Sequence, residues 1–143
     1  MATTYTADNA AAGKQARAGV GLQSVSSKYT MTAALVINDV IKMCKVPAGA
    51  VIQDIILSTS DLDTASSPAV TLSVGDGSDT DRFLSASTIG QAGGIARLTP
   101  HLGHGYQYAA EDTIDILVAA APTTSVTDGT LMLTVFYNMN DDV

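Results

Sequence analysis

The chain has 143 residues and a formal net charge of −7, and 13 of its 14 acidic side chains are aspartate. Such an acidic surface repels phosphate backbones, which argues against nucleic acid as a partner. The single cysteine, Cys44, excludes an intramolecular disulfide. A chain of this length is sufficient for one domain that buries roughly 68–70% of its unfolded surface. Because the chain has no Trp and only 5% aromatic residues, the core of that domain has to be aliphatic.

No segment approaches the roughly 20 consecutive apolar residues that a membrane helix requires, so we expect no membrane partner. The first residues, Met-Ala-Thr-Thr-Tyr-Thr, lack the basic and then apolar pattern of a signal peptide. We therefore expect the protein to stay in the cytoplasm in which it is made, unless it leaves as part of a larger particle.

Residues 1–19 are predicted to form an N-terminal arm, and residues 20–143 a single β-sandwich domain. The arm contains only alanines, Met1 and Tyr5 as apolar groups. Burial of so few groups does not offset the roughly 1–2 kcal/mol that ordering each backbone residue costs. The arm also carries two cations, Lys14 and Arg17. We expect it to be loose in an isolated molecule and ordered against a neighbour.

Alternation of apolar and polar residues predicts a series of short strands after the arm. Val70, Leu72 and Val74, for example, fall on one face, which is the period of a half-buried strand. Turn-forming residues separate these segments. The predicted strands are 20–25, 29–37, 40–46, 51–59, 69–74, 82–88, 106–109, 113–120 and 130–137.

Eight or so short strands without a convincing long helix predict an all-β sandwich or barrel. An eight-stranded jelly roll matches the strand count. An immunoglobulin-like sandwich is the alternative, although its Cys–Trp–Cys hallmark is absent. We expect fewer than about a tenth of the residues to be helical. The residues expected in the core are Leu72, Ile116, Leu133 and Val135.

Three local patterns add detail to this prediction. Asn38-Asp39 indicates a turn, and the glycine-rich residues 89–97 indicate a loop or an irregular edge. Strict alternation over residues 40–46 places Cys44 beside a valine face or at a strand edge. We expect Cys44 to be a small buried hydrophobic residue and not a reactive thiol.

Acidic residues cluster in two predicted loops, one with Asp61 and Asp63 and one with Asp76, Asp79 and Asp81. Clustered aspartates can bind calcium, but their spacing does not match the EF-hand pattern. Aspartate is also an ordinary turn residue, because its carboxylate accepts hydrogen bonds from nearby backbone N–H groups. Structural turns are therefore the favoured interpretation.

No catalytic pattern is present elsewhere in the chain. His101 and His104 have no cysteine or third histidine to complete a zinc site, and a surface pair without a role is the favoured interpretation. The glycine-rich turns lack the Gly-Lys-Ser/Thr signature of a phosphate loop, and no serine has a Gly-x-Ser-x-Gly context. We predict no enzyme activity, no metal and no cofactor.

Several strand and turn segments together form a recognisable pattern, and they include no catalytic residues. These segments are 46–52, 60–64, 70–76, 79–84, 90–94, 106–116 and 129–137. Over about Lys42 to Tyr137, the chain resembles small structural proteins encoded beside the major capsid protein of tailed bacteriophages.

The resemblance implies a head decoration, or cement, protein of jelly-roll type. Such proteins bind the outer surface of the icosahedral shell, often as dimers or trimers, and brace it against internal DNA pressure. The implied partners are the major capsid protein and the protein itself as a homo-oligomer. The implied location is the capsid surface of a virion, after synthesis in the host cytoplasm. In the arm, Tyr5, Lys14 and Arg17 are the candidate capsid or subunit contacts.

The alternative function is a carbohydrate-binding or receptor-binding module of a phage tail or fibre. Sugar binding usually depends on exposed aromatic platforms, and this chain has no Trp and few aromatic residues. An enzyme ranks third because the sequence shows no catalytic site.

Overall fold

The structure is a computed structural model and describes residues 2–7 and 21–140. These residues form nine β-strands, and their only helical segment is a 3-10 turn at Ile89–Gln91, which confirms the predicted all-β fold. No helix in the described part is long and apolar enough to cross a membrane. The strands are β1 Thr4–Thr6, β2 Gln23–Thr30, β3 Val40–Val46, β4 Ala50–Thr59, β5 Thr71–Gly75, β6 Leu84–Ser87, β7 Gly94–Arg97, β8 Asp112–Ala120 and β9 Thr130–Met139.

The strands form two sheets that pack face to face. Sheet 1 has the order β1-β3-β8-β5-β6, and sheet 2 has the order β2-β9-β4-β7. Strands β2 to β9 pair only in antiparallel fashion, and the chain changes sheet at every connection among them except the one between β5 and β6. This is the predicted eight-stranded jelly roll. The remaining strand, β1, lies at the edge of sheet 1 and pairs in parallel with β3.

The inner faces of both sheets supply an aliphatic core. Leu72, Ile116, Leu133 and Val135 are completely buried, as predicted. Alternation is clearest in β9, where Leu131, Leu133, Val135 and Tyr137 all point inward. In sheet 2, β9 lies between β2 and β4, so a strand flanks it on each side. The period of two gives β9 one face toward the core.

The predicted strand over residues 29–37 is wrong, because β2 ends at Thr30 and residues 31–39 form a loop. The Met31 N–H donates to the Gly129 carbonyl at 2.8 Å, just beyond the last rung of the ladder. Met31 and Leu35 are nevertheless buried, so this loop sends apolar side chains into the core without pairing as a strand. The predicted turn is present at its end, where Asn38 has a φ of 68°.

The strict alternation predicted for residues 40–46 is also wrong. A bulge between Lys42 and Cys44 interrupts the pairing of β3 with β8. Because a bulge inserts one extra residue, both Met43 and Cys44 face the core. Cys44 is fully buried as expected, and desolvation raises the pKa of its thiol to about 12.

Two other segments differ in detail from their predictions. Residues 106–109 do not form a strand, and their pairing is limited to an isolated bridge between Gln107 and Val51. The glycine-rich segment 89–97 contains the 3-10 turn and then β7, which is one of the two edge strands of sheet 2. The second interpretation of this segment, an irregular edge, is therefore the correct one.

The predicted arm is partly in the fold, because β1 lies within residues 1–19. Its remaining residues from 8 onward, with Lys14 and Arg17, lie outside the described residues. The division of the chain at residue 19 accordingly stays a prediction.

Candidate interaction surface

Asp63 joins two distant loops at one end of the sandwich. Its carboxylate accepts hydrogen bonds from the N–H groups of Ala69, at 2.7 Å, and of Thr123 and Thr124, both at 2.8 Å. The Val70 N–H donates to it as well, at 3.2 Å. Burial alone would raise the pKa of Asp63, but these four donors hold it well below its usual range. The charged carboxylate therefore acts as a structural connector.

Asp76 has a similar role at another loop. Its side chain is inaccessible to solvent, and Oδ2 accepts hydrogen bonds from Arg82 Nε at 2.9 Å and from the Tyr108 hydroxyl at 2.8 Å. The Ser78 and Asp79 N–H groups donate to Oδ1. Burial raises the pKa of Asp76, but Arg82 and the other donors outweigh it and bring the pKa to about 2. The Arg82 guanidinium also lies 3.7 Å from the centre of the Tyr106 ring.

These contacts support the interpretation of the acidic loops as structural turns. Asp61 accepts a hydrogen bond from the Asp63 N–H, as in an Asx turn, and Asp81 accepts one from the Ser85 hydroxyl. Over residues 2–7 and 21–140, no group of three or more His, Cys, Asp or Glu side chains is placed to hold a metal ion. His101 and His104 are exposed within a turn.

The N-terminal segment is held on the edge of sheet 1 by backbone hydrogen bonds. The Val40 N–H donates to the Thr3 carbonyl at 3.1 Å, and the Ala7 N–H donates to the Lys42 carbonyl at 2.8 Å. The Thr3 N–H donates to the carboxylate of Asp39, which is fully buried. Residues 3–7 are therefore held beside β3.

Of the three predicted contact residues, the structure describes only Tyr5. Its ring is half-buried and lies 5.7 Å from the ring of Tyr29, between ring centres, so Tyr5 packs against its own chain. Lys14 and Arg17 are outside the described residues. Sequence reasoning missed Asp39 and Tyr29 as partners of this segment, because no local pattern links them to residues 3–7.

The outer face of sheet 2 and its border carry exposed apolar side chains. Leu22, Ile95 and Met132 are 63%, 66% and 44% exposed. Leu22 also lines a shallow groove of about 320 Å³ that includes Ile56 and Phe136. Phe136 and Met132 could have been found in the sequence, because they take the outward positions of β9. Single exposed apolar residues are common on protein surfaces, so these side chains do not by themselves define a contact site.

The outer face of sheet 1 contains a smaller pocket of about 170 Å³ beside Asp115. Asp115 is only 9% exposed, and its Oδ1 has no hydrogen-bond partner in the described part of the chain. Val40, Leu117 and the segment from Gly75 to Thr80 form the rest of the lining. Desolvation raises the pKa of Asp115 from its ordinary value of 3.8 to about 6, while the Thr113 hydroxyl and the Lys42 charge act in the opposite direction.

Asp115→Asn is expected to stabilise the isolated protein by about 1–2 kcal/mol at pH 7, a value reduced for partial solvent screening. The pKa of Asp115 is higher in the folded protein than in the unfolded chain, so its ionisation reduces stability as the pH rises from about 4 to 6. Urea denaturation of both proteins at pH 4, 5, 6 and 7 measures the effect. The two curves should separate with increasing pH, and parallel curves would contradict the prediction.

The described residues thus define an all-β domain of jelly-roll topology in which Asp63 and Asp76 hold loops together and Asp115 lines a pocket on sheet 1. No protein-family model matches the chain, and no curated protein sequence matches it either. Solved structures do match. A chain of the capsid of Ralstonia phage GP4 is 28% identical with a TM-score of 0.85, and the match covers 97% of this chain and 99% of that one.

Two further matches come from capsids. A chain of the cyanophage Pam1 capsid asymmetric unit is 30% identical with a TM-score of 0.76, and the match covers 87% of this chain and 91% of that one. A chain in the acid-stable capsid structure of Helicobacter pylori bacteriophage KHP30 is 17% identical with a TM-score of 0.54, covering 82% and 93%, and this match shows a shared fold only. The protein belongs to a family of bacteriophage capsid structural proteins.

Proposed function

We propose that the protein decorates and cements a capsid by binding the outer surface of a bacteriophage shell and stabilising it. The observation that carries this proposal is the match to the Ralstonia phage GP4 chain, which extends over 99% of that chain. The match therefore spans nearly the full length of a chain found in that capsid. A small additional domain of this kind is what bracing an existing shell requires.

Charge supports an outer position. The net charge is −7, so the protein would be repelled by the phosphate backbone of packaged DNA. The outer surface of the shell, where DNA is absent, imposes no such cost.

The proposed partners are the major capsid protein and further copies of this chain, as a dimer or trimer. Backbone pairing and the contact of Tyr5 with Tyr29 anchor the arm on its own sheet. Lys14 and Arg17 then pair with acidic side chains of the neighbour. Each exposed ion pair contributes only about 0–1 kcal/mol, but an oligomer on a repeating lattice gains roughly 10²–10⁴-fold from multivalent attachment.

The proposal places the protein at the capsid surface of the virion after synthesis in the host cytoplasm. The outer face of sheet 2, which combines the exposed Met132 with polar residues such as Lys28 and Ser58, provides a second surface for subunit or capsid contact.

Among the described residues, the half-buried Tyr5, Tyr29 and Tyr106 rings pack against other side chains of the chain, and Phe136 is a single half-buried ring in the groove on sheet 2. One ring of this kind gives weak support to the alternative of sugar binding.

An addition experiment tests this function. Purified protein is mixed with capsids that lack it, and bound copies are counted by sedimentation and electron microscopy. We expect saturable binding at a fixed ratio to the major capsid protein and an increase in the temperature at which the shells break. Absence of binding, or binding to host polysaccharide instead, would contradict the proposal.

The double substitution Lys14→Gln and Arg17→Gln is expected to weaken capsid binding by about tenfold or more, because two ion pairs are lost at every attached copy. The folded domain should keep its melting temperature. Lys45→Gln, compared with the single substitutions Lys14→Gln and Arg17→Gln, is the matched control, since it removes one charge from β3 in sheet 1. Equal loss in the control and in the arm variants would show that net charge, and not the arm, controls binding.

A further inference from the structure

The Asp115 pocket has a feature that the proposed function does not use, namely an ionisable oxygen without a partner. Asp115 lies on β8 between Lys42 of β3 and Gly75 of β5. No described cation lies within 4.0 Å of its carboxylate. Asp115 lines the pocket, so a side chain that fills the pocket would lie against Asp115.

The other carboxylate in the lining is already used. Both oxygens of Asp76 accept hydrogen bonds from donors of its own loop and from Arg82 and Tyr108. Of the two carboxylates in the lining, only that of Asp115 therefore remains to pair with a positive charge. A group that carries a single positive charge matches this site.

The walls of the pocket favour a charge at the end of an apolar stem. Val40 and Leu117 supply an aliphatic surface, and Thr80 supplies a hydroxyl. Lysine and arginine bury their methylene stems along apolar surface while their charged ends reach a polar partner. A pocket of about 170 Å³ far exceeds the roughly 10–15 Å³ that one water needs, so it has room for the end of such a side chain.

We propose that the Asp115 pocket receives one lysine or arginine side chain of the major capsid protein. This inference rests on the proposed function and assigns a specific contact to it. The carboxylate is already desolvated in the free protein, so pairing restores an interaction without a new desolvation cost for Asp115. Such a contact is stronger than the exposed ion pairs of the arm.

Protonation of Asp115 should then release the contact. The groups that influence its charge are Thr113 on the same strand, Lys42 on β3, and the carboxylates of Asp112 and Asp76. Capsid affinity of the wild-type protein should decrease as the pH falls through about 6. Asp115→Asn should not show this decrease in affinity. The variant therefore distinguishes protonation of Asp115 from titration of groups on the capsid.

Asp115→Asn tests the site because it keeps the shape of the side chain and removes its charge. Capsid affinity at pH 7.5 should decrease by at least about 30-fold, while the isolated protein becomes more resistant to urea. A residue with a purely structural role would not change these two properties in opposite directions. Asp128→Asn, at an exposed position, is the charge-matched control and should bind as the wild type does.

A second variant, Val40→Phe, narrows the pocket and leaves the carboxylate in place, and it should lose affinity without gaining stability. If Asp115→Asn binds capsids with wild-type affinity, the pocket proposal is wrong and the proposed function is unaffected. Absence of binding by the wild type would overturn both proposals. If Asp115→Asn instead dissociates an oligomer of the free protein, the occupant is a second copy and the assignment to the capsid protein is wrong.

Discussion

Asp76→Ala is expected to lower the free energy of unfolding by about 3–5 kcal/mol, the range for removing one partner of a buried ion pair. The carboxylate has no exposed surface, and the Arg82 side chain is only 14% exposed. Removal leaves the guanidinium without its main partner and the buried Tyr108 hydroxyl without an acceptor. It also removes the acceptor of two N–H groups in the turn from Ser78 to Asp79.

Chemical denaturation at pH 7 measures this loss, and Asp79→Ala is the control. Asp79 is 43% exposed and 3.8 Å from the same guanidinium, so its removal should cost less than about 1 kcal/mol. The Asp76 contribution should also disappear as the pH falls from about 4 to 2, because its folded pKa is about 2. A cost for Asp76→Ala below about 1 kcal/mol would show that the loop does not depend on this carboxylate.

Leu133→Ala is expected to destabilise the protein by about 2–5 kcal/mol, through loss of buried methyl groups and creation of a cavity. Leu133 is completely buried in β9, opposite Ser27 of β2 and Leu57 of β4. Support from strands on both sides prevents the backbone from moving into the cavity. The loss should therefore fall in the upper part of the range.

Met132→Ala is the neighbouring control for this substitution. Met132 points to the outer face of sheet 2 and is 44% exposed, so its truncation should cost less than about 1 kcal/mol. Comparison of the two urea midpoints is the measurement. Similar losses at both positions would contradict the assignment of the inner and outer faces of β9.

A run of β-branched residues bounded by turn residues predicted β4, and alternation was sufficient to predict β5, β8 and β9. It failed at residues 31–37, where Met31 and Leu35 are buried from a loop and only imitate the period of a strand. It failed again at Cys44, because a bulge depends on the pairing of β3 with β8 and leaves no clear mark in β3 alone.

The sequence predicted less of the candidate site than of the strands. The acidic loops were identified as turns from their composition, but the contact of Asp63 with Thr123 and Thr124 crosses about 60 residues and follows only from the fold. Asp115 appeared in the sequence as an ordinary outward residue of a strand. Its burial results from the neighbouring segment from Gly75 to Thr80, which a reading of β8 alone does not reveal.

The pairing of β2 with β9 has a consequence for how the protein is made. β2 has β9 as its only neighbour in sheet 2, and about 100 residues separate the two strands. At synthesis rates of roughly 5–20 residues per second, β2 remains without its partner for about 5–20 s on the ribosome. An unpaired strand is a site for aggregation, and polar or lysine-containing strands resist it. The sequence of β2, Gln-Ser-Val-Ser-Ser-Lys-Tyr-Thr, has this composition, which suits a strand that must wait until β9 has been synthesised.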